Sequence, residues 1–243
     1  MRVLVTRPEP GATRTAQRLA RAGHTPVMLP LTEIRPLPVI FSPEAMQATA
    51  VVLTSASAVR LADDELLAAL VDKPCFAVGE RTADVARGRG FSDVAVGPGD
   101  AEGLADLILR RTEPASRLAY LCGRRRRDTL ERVLHAAERH CMAIETYDTC
   151  DLGYSGHALR TCLGTEPIDA VLLYSRHAAE RLGALWSEGS MPECAESASL
   201  ICISPRTAEG TALIRGRTVS IAAEPHEEAM FAILCDAAKH DAP

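Results

Sequence analysis

Polar and apolar positions in this chain alternate in two rhythms. Short runs dense in Val, Leu and Ala read as buried strands, and longer stretches with apolar residues every three or four positions read as helices. Residues 2–6 form the first apolar run, rich in Val. Residues 12–22 follow as a helix carrying Ala16, Leu19, Ala20 and Ala22, with Gly23 as its stop signal. Residues 26–29 are the next strand. Pro30, Pro36 and Pro38 make residues 31–38 an extended connector, because proline removes a ladder donor and restrains the residue before it.

Beyond that connector the pattern predicts a strand over 51–54 and a helix over 56–71, with Ser55 or Ser57 as N-cap. A strand at 75–78, a helix at 80–89 stopped by Gly90 and a strand at 94–96 follow. Pro98-Gly99-Asp100 is a turn before an amphipathic helix over 101–111. Next come a strand at 118–122, a helix at 127–139 and a strand at 144–147, then a second polar connector over 148–156. The last block reads helix 156–163, strand 170–174, helix 177–188, strand 200–203, helix 206–214, strand 218–221 and helix 226–238. Strands separated by helices imply parallel sheets covered on both faces, so the class is α/β with two open sheets of four to five strands each.

The chain also repeats itself. Val51-Val-Leu-Thr-Ser-Ala-Ser-Ala58 returns as Val171-Leu-Leu-Tyr-Ser-Arg-His-Ala178, and Ala77-Val-Gly-Glu-Arg-Thr-Ala83 as Cys202-Ile-Ser-Pro-Arg-Thr-Ala208. A spacing of about 120 residues exceeds the roughly 20–50 of a solenoid unit. It implies two similar domains with a cleft between them, a common place for ligands. Residues 2–29 resemble 118–147 in their strand, helix, strand and connector order. Chain order would place 2–29 with 51–109, but the two connectors also permit its exchange with the opposite half.

Thr6, Thr54-Ser55, Gly79, Gly123, Ser175 and Ser204 each lie where a strand gives way to a helix. In open α/β sheets this edge binds ligands, and helix N-termini there attract anions. The same residue types also serve as N-caps. Arg124-Arg-Arg-Arg127 is read as the opening of a helix, where cations oppose the macrodipole. Carboxylates bound by one or two of these guanidiniums would offset that cost, with the others in water. Tyr147 ends a strand at the second connector, and a phenol there can donate a proton or pack as an amphipathic ring. His177 follows Ser175-Arg176, where an imidazole could act in acid–base work. The other histidines read as exposed and unclustered.

Composition narrows the chemistry. The 243 residues favour two domains, and no apolar run approaches a membrane span or a signal-peptide core. The expected location is the cytoplasm. Net charge is −5, which argues against nucleic acid as a partner, although a cleft can still be locally basic. Eight cysteines show no metal or disulfide spacing and read as small hydrophobes, with Cys75, Cys122, Cys202 and Cys235 on apolar runs or faces. The loop after the first strand, Thr6-Arg-Pro-Glu-Pro-Gly11, is not a dinucleotide fingerprint, and neither a Walker motif nor a nucleophile elbow occurs. No cofactor and no metal are expected.

Taken in order, Val3-Leu-Val-Thr-Arg-Pro-Glu-Pro10, His24-Thr-Pro-Val-Met-Leu-Pro-Leu31, Leu53-Thr-Ser55, Ala77-Val-Gly-Glu-Arg-Thr-Ala83, Cys122-Gly-Arg-Arg-Arg-Arg-Asp128, Glu145-Thr-Tyr-Asp-Thr149 and Ser204-Pro-Arg-Thr-Ala208 resemble the uroporphyrinogen-III synthase family. The resemblance implies two similar Rossmann/flavodoxin-like parallel-sheet domains joined by a two-stranded linker, with an interdomain cleft. It implies domain one as 1–34 plus 155–243, domain two as 39–148, and linker strands at 35–38 and 149–154. The implied substrate is hydroxymethylbilane, a linear tetrapyrrole bearing carboxylates, which loses water and cyclises with ring D inverted through a spiro intermediate. No cofactor, no nucleic acid and no membrane take part, and a monomer is expected. Matching motif by motif, Tyr147 corresponds to a cleft tyrosine proposed to help hydroxide depart. Arg7, Thr54, Ser55, Thr82, Gly123, Arg127, Ser175 and Thr207 correspond to substrate-binding positions. Cys122 departs from the family, where an arginine often precedes Gly123. The rival expectation is a non-catalytic two-lobed protein that binds a tetrapyrrole or another metabolite.

Overall fold

A computed structural model describes residues 1–39 and 43–240. In chain order its elements are β1 (Arg2–Val5), α1 (Gly11–Arg21), β2 (Thr25–Met28), β3 (Thr32–Pro36), α2 (Pro43–Met46), β4 (Ala50–Leu53), α3 (Ala56–Arg60) and α4 (Asp64–Leu70). Then come β5 (Cys75–Ala77), α5 (Glu80–Gly88), β6 (Val94–Val96), α6 (Ala101–Arg111), β7 (Arg117–Gly123), α7 (Thr129–Ala136) and β8 (His140–Asp151). The chain ends with α8 (Gly156–Leu163), β9 (Ala170–Leu173), α9 (Arg176–Ser187), β10 (Ser199–Cys202), α10 (Pro205–Glu209), β11 (Val219–Ile221) and α11 (Glu227–His240).

Two compact units result, one of Met1–Glu33 with Cys150–Pro243 and one of Ile34–Thr149. In the first unit a five-stranded sheet runs in the order β11-β10-β9-β1-β2. Its ladders are parallel, and β1 lies between β2 and β9 with Val3 opposite Pro26 on one side and Ala170 on the other. The first strand therefore belongs to the sheet of the last block, not to that of its chain neighbours. Pleating divides β1 between two cores. Leu4 faces Leu159, Leu163, Leu182 and Leu185 of α8 and α9. Val3 and Val5 face Ala12 and Leu19 of α1 and Met230 and Leu234 of α11.

The second sheet runs β3-β8-β7-β4-β5-β6. The ladders β7–β8, β4–β7, β4–β5 and β5–β6 are parallel. Val51 and Leu53 pack with Val59, Leu66 and Leu70 on one face. Val52 and Tyr120 pack with Leu104, Ile108, Leu130 and Leu134 on the other.

Several sequence expectations are corrected. The first sheet has five strands, within the four to five expected, but the second has six. The surplus arises because the first connector contributes β3, and the strand expected at 144–147 lengthens to the 12 residues of β8, absorbing the start of the second connector. The helix expected over 56–71 breaks into α3 and α4, because Asp63 Oδ1 accepts the Leu66 N–H at 2.7 Å and starts a new helix. Two further acids, Asp64 and Glu65, occupy that first turn and suit its dipole. The helix expected over 206–214 stops at Glu209. Gly210 there lies so close to α9 that a Cβ would fall 2.5 Å from the Arg176 carbonyl oxygen. The helix after the arginine run begins at Thr129, so Arg124–Arg127 lie in the loop before it and not on its first turn. Cys75, Cys122 and Cys202 are buried, but Cys235 is exposed.

Candidate functional site

Both sheets carry their small hydroxyl residues at the carboxyl ends of the strands, and most of these hydroxyls are committed to the fold. In the first unit, Thr6 is fully buried and donates from Oγ1 to the Leu172 carbonyl at 2.7 Å, tying the end of β1 to β9. Ser175 caps α9 by accepting the Ala178 N–H at 3.1 Å. Ser204 caps α10 through the Thr207 N–H at 3.3 Å, and its hydroxyl also meets Thr207 Oγ1 at 3.1 Å. Thr207 itself is buried. These are the N-cap roles open to such residues, and they leave α9 starting at the sheet edge with its dipole directed there.

Arg7, just past β1, sits in a larger cluster. Its Nη1 donates to Glu227 Oε1 at 3.3 Å and to Thr15 Oγ1 at 3.4 Å, and its guanidinium lies 4.2 Å from the Tyr174 ring centroid. Thr15 and Tyr174 hydroxyls donate to Glu227 Oε1, each at 2.5 Å, and Arg18 Nη1 donates to Oε2 at 2.5 Å. Burial alone would raise the Glu227 carboxyl; hydrogen bonds from Thr15 and Tyr174, with the charges of Arg18 and Arg7, outweigh it and hold that carboxyl below its ordinary value. Burial and the bond to Glu227 push the Tyr174 phenol well above its ordinary value. In the same unit, His177 Nε2 lies 2.5 Å from Asp151 Oδ1, and Arg181 Nε is 3.5 Å from Asp151 Oδ2. His177 is thus paired and not simply exposed. Of the histidines expected to be exposed, His226 is exposed, with its Nδ1 accepting the Ala229 N–H at 3.2 Å in the first turn of α11, whereas His24 is half-buried.

In the second unit Thr54 Oγ1 is 2.8 Å from the hydroxyl of Tyr120, a buried ring whose phenol burial pushes up to about 12. Ser55 caps α3 by accepting the Ser57 N–H at 3.1 Å. Gly79 stands at the N-cap of α5, and Thr82 in its first turn is buried, with its N–H bonded to the Gly79 carbonyl at 3.0 Å. A Cβ on Gly79 would meet Gly99 Cα at 3.5 Å, so the loop after β6 closes against this helix start.

Gly123 and Tyr147 are in close contact at this edge. A bulge between Cys122 and Gly123 shifts the β7–β8 register, so that Gly123 pairs with Tyr147. The Tyr147 ring then covers Gly123: a Cβ there would lie 2.6 Å from Cζ and 2.9 Å from the hydroxyl oxygen. The Arg124 N–H donates to the Tyr147 carbonyl at 2.8 Å. The skipped residue, Thr146, is buried and donates to the Ala58 carbonyl at 2.8 Å. No hydrogen bond engages the Tyr147 hydroxyl among the described residues.

The arginine run divides its work. Arg124 Nε bonds Glu145 at 3.0 Å, and Arg126 bonds Glu145 at 3.1 Å and Glu131 at 2.9 Å. The Arg124 hydrogen bond, together with Arg126, holds the Glu145 carboxyl below its ordinary value. Arg127 is exposed and makes no ion pair among the described residues. Cys122, where an arginine is the family expectation, is buried with its thiol pushed up to about 12 by burial, so it supplies no charge to this edge.

Sequence reasoning places Gly123 and the caps at strand ends; Tyr147, expected to end its strand, lies inside β8, which runs on to Asp151, and Arg127, expected on a helix start, lies in the loop after β7. Sequence reasoning misses Thr15, Arg18, Tyr174 and Glu227, and it misses Glu145 as the partner of two arginines. The acidic pair Glu227-Glu228 opening α11 is the available signal, since acids favour helix starts; its partners Thr15 and Arg18 lie more than 200 positions away. Among the described residues no group of acids, histidines and cysteines could hold a metal ion, and no helix is long and apolar enough to cross a membrane.

Comparison with known proteins adds identity to this geometry. The family model HEM4, uroporphyrinogen-III synthase HemD, matches residues 13–232. The solved uroporphyrinogen-III synthetase from Helicobacter pylori 26695 superposes with a TM-score of 0.66 at 19% identity, covering 98% of this chain and 100% of that one. A mutant uroporphyrinogen III synthase from the extremely thermophilic bacterium Thermus thermophilus gives a TM-score of 0.57 at 16% identity, covering 99% and 100%. At these identities the superpositions speak for the fold, and the family match speaks for the lineage. No curated relative matched the sequence.

Proposed function

The chain belongs to the uroporphyrinogen-III synthase family, the cyclising lyases of haem biosynthesis, and from that premise we propose how its own residues handle hydroxymethylbilane. The substrate is a flexible polyanion whose terminal ring must be turned before closure. The enzyme's task is therefore mainly positioning, which in ideal intramolecular cases contributes about 7–11 kcal/mol. Helix starts at Ser55, Gly79, Ser175 and Ser204 offer backbone N–H groups and dipoles to carboxylates. The buried Thr82 and Thr207 shape two of those starts, and the exposed Arg127 supplies a cation. Thr54 acts through Tyr120, and Gly123 acts by giving Tyr147 room.

Tyr147 is the proposed proton donor. The hydroxymethyl C–O bond breaks as the phenol passes its proton to the departing oxygen, which leaves as water. Ring D then attacks the resulting azafulvene at its substituted carbon to give the spiro intermediate. The bond from that carbon to the bridge of ring C then breaks, and the bridge carbon recloses on the other, unsubstituted α-carbon of ring D, whose proton is released and restores the phenol. The net change is loss of one water. The observation that carries this assignment is the Tyr147 ring held against Gly123 with its hydroxyl uncommitted among the described residues. A catalyst working as a monomer in the cytoplasm belongs to the same proposal; eight free thiols suit a reducing compartment.

Tyr147→Phe keeps the ring and removes the proton. Turnover of fresh hydroxymethylbilane should fall by about a hundredfold or more, the range general acids contribute, while the melting temperature stays near that of the parent. Unchanged kcat would remove Tyr147 from proton transfer.

A further inference from the structure

The polar cluster at the carboxyl edge of the first sheet draws on four segments: the loop after β1, α1, the end of β9 and the start of α11. Four donors converge there on one carboxylate, Glu227, whose side chain is 12% exposed. Three of the contacts, from Thr15, Tyr174 and Arg18, are 2.5 Å long. The fourth, from Arg7, is 3.3 Å. Glu227 is thus anchored by three partners and holds the fourth more loosely.

Arg7 is oriented without being consumed. Gly11 makes room for it, since a Cβ there would fall 2.5 Å from Arg7 Nε. The Tyr174 ring covers one face at 4.2 Å. Among the described residues only Nη1 is hydrogen-bonded, whereas a guanidinium carries five N–H donors in a fixed fork. Nε and Nη2 therefore remain to meet a carboxylate, and fork geometry rewards a guanidinium whose plane is already set.

We propose that Glu227 is a positioning residue for substrate binding: anchored by Thr15, Tyr174 and Arg18, it fixes the plane of the Arg7 guanidinium so that its unused N–H donors meet a substrate carboxylate. The inference rests on the synthase reading, which makes Arg7 a binder of the polycarboxylate. The Glu227 carboxylate takes no proton and touches no reacting atom. A merely structural role would affect folding but would not depend on Arg7.

Steady-state kinetics of Glu227→Gln on hydroxymethylbilane, alone and with Arg7→Ala, test this. Glu227→Gln should raise KM about tenfold, as expected for disturbing a charge-assisted contact, with kcat changed by less than about twofold. In the Arg7→Ala background the same substitution should leave KM unchanged, because the group it positions is gone. An unchanged KM in Glu227→Gln, or an equal rise in both backgrounds, overturns the role. Should Glu227→Gln fail to fold, Tyr174→Phe carries the test, since it keeps the ring and removes one anchor. A KM rise that disappears with Arg7→Ala is expected, and an unchanged KM overturns the proposal. Parent protein that yields no type III product overturns the synthase reading and this role with it; active parent protein with unaltered variant KM overturns the positioning role alone.

Discussion

Tyr147 rests on a residue with no side chain, and that contact decides how freely its hydroxyl can be presented. A methyl group at Gly123 would sit 2.6 Å from the ring's Cζ, far inside van der Waals contact, so Gly123→Ala must displace the ring. Its kcat should fall at least as far as that of Tyr147→Phe, with a lower melting temperature as well; a full-rate Gly123→Ala would show that ring position is irrelevant. Glu227 makes a pH prediction. Its folded carboxyl lies below the ordinary value of 4.5, so the ionised form stabilises the fold above the unfolded value. That stabilisation is lost as pH falls from about 4.5 through the lower folded value. Acid unfolding followed by circular dichroism should show a flatter loss in that window for Glu227→Gln than for the parent, and identical slopes would contradict the assignment. Legibility at this scale is uneven. Tyr147 can be singled out as the last residue of an expected strand, although β8 continues past it to Asp151, but which arginine of 124–127 stays unpaired depends on Glu145 and Glu131. Nothing local in the sequence says that Glu145 takes Arg124 and Arg126 and leaves Arg127.

Helices and strands are legible where period and cap agree. The helix expected at 156–163 is α8, with Ser155 accepting the Ala158 N–H at 3.1 Å. Where a cap competes with a continuous apolar pattern, the cap prevails, as at Asp63. The pattern also understates β8, because a strand that pairs with β7 and β3 can continue into polar residues that carry no alternation. Burial follows the apolar rhythm closely enough to support a quantitative expectation. Leu53 ends β4 fully buried against Leu121 and Val59. Leu53→Ala should cost about 2–5 kcal/mol, read as a lower denaturant midpoint at unchanged m-value. A cost below about 1 kcal/mol would mean that this core collapses around the deletion more readily than buried leucine sites usually do.

For the molecule as a whole, the internal repeat predicts two α/β bodies but not which strands share a sheet. Chain order alone would join residues 2–29 to 51–109. The ladder of β1 on β9, Val3 opposite Ala170, places that first unit with the last block instead. The register is set by long-range pairing, for which local sequence carries no mark; only the ordered family motifs point to it. Net charge is similarly uninformative. A formal −5 conceals arginines gathered at strand ends, with Arg124 and Arg126 neutralised by nearby carboxylates and Arg127 left exposed. The central claim is that these strand ends, which hold no cofactor motif, direct the closure of a linear tetrapyrrole. It is tested most directly by giving the purified protein fresh hydroxymethylbilane and separating the oxidised products by chromatography at early times. Type III product above the spontaneous background is the expected result; type I product alone from well-folded protein would contradict it.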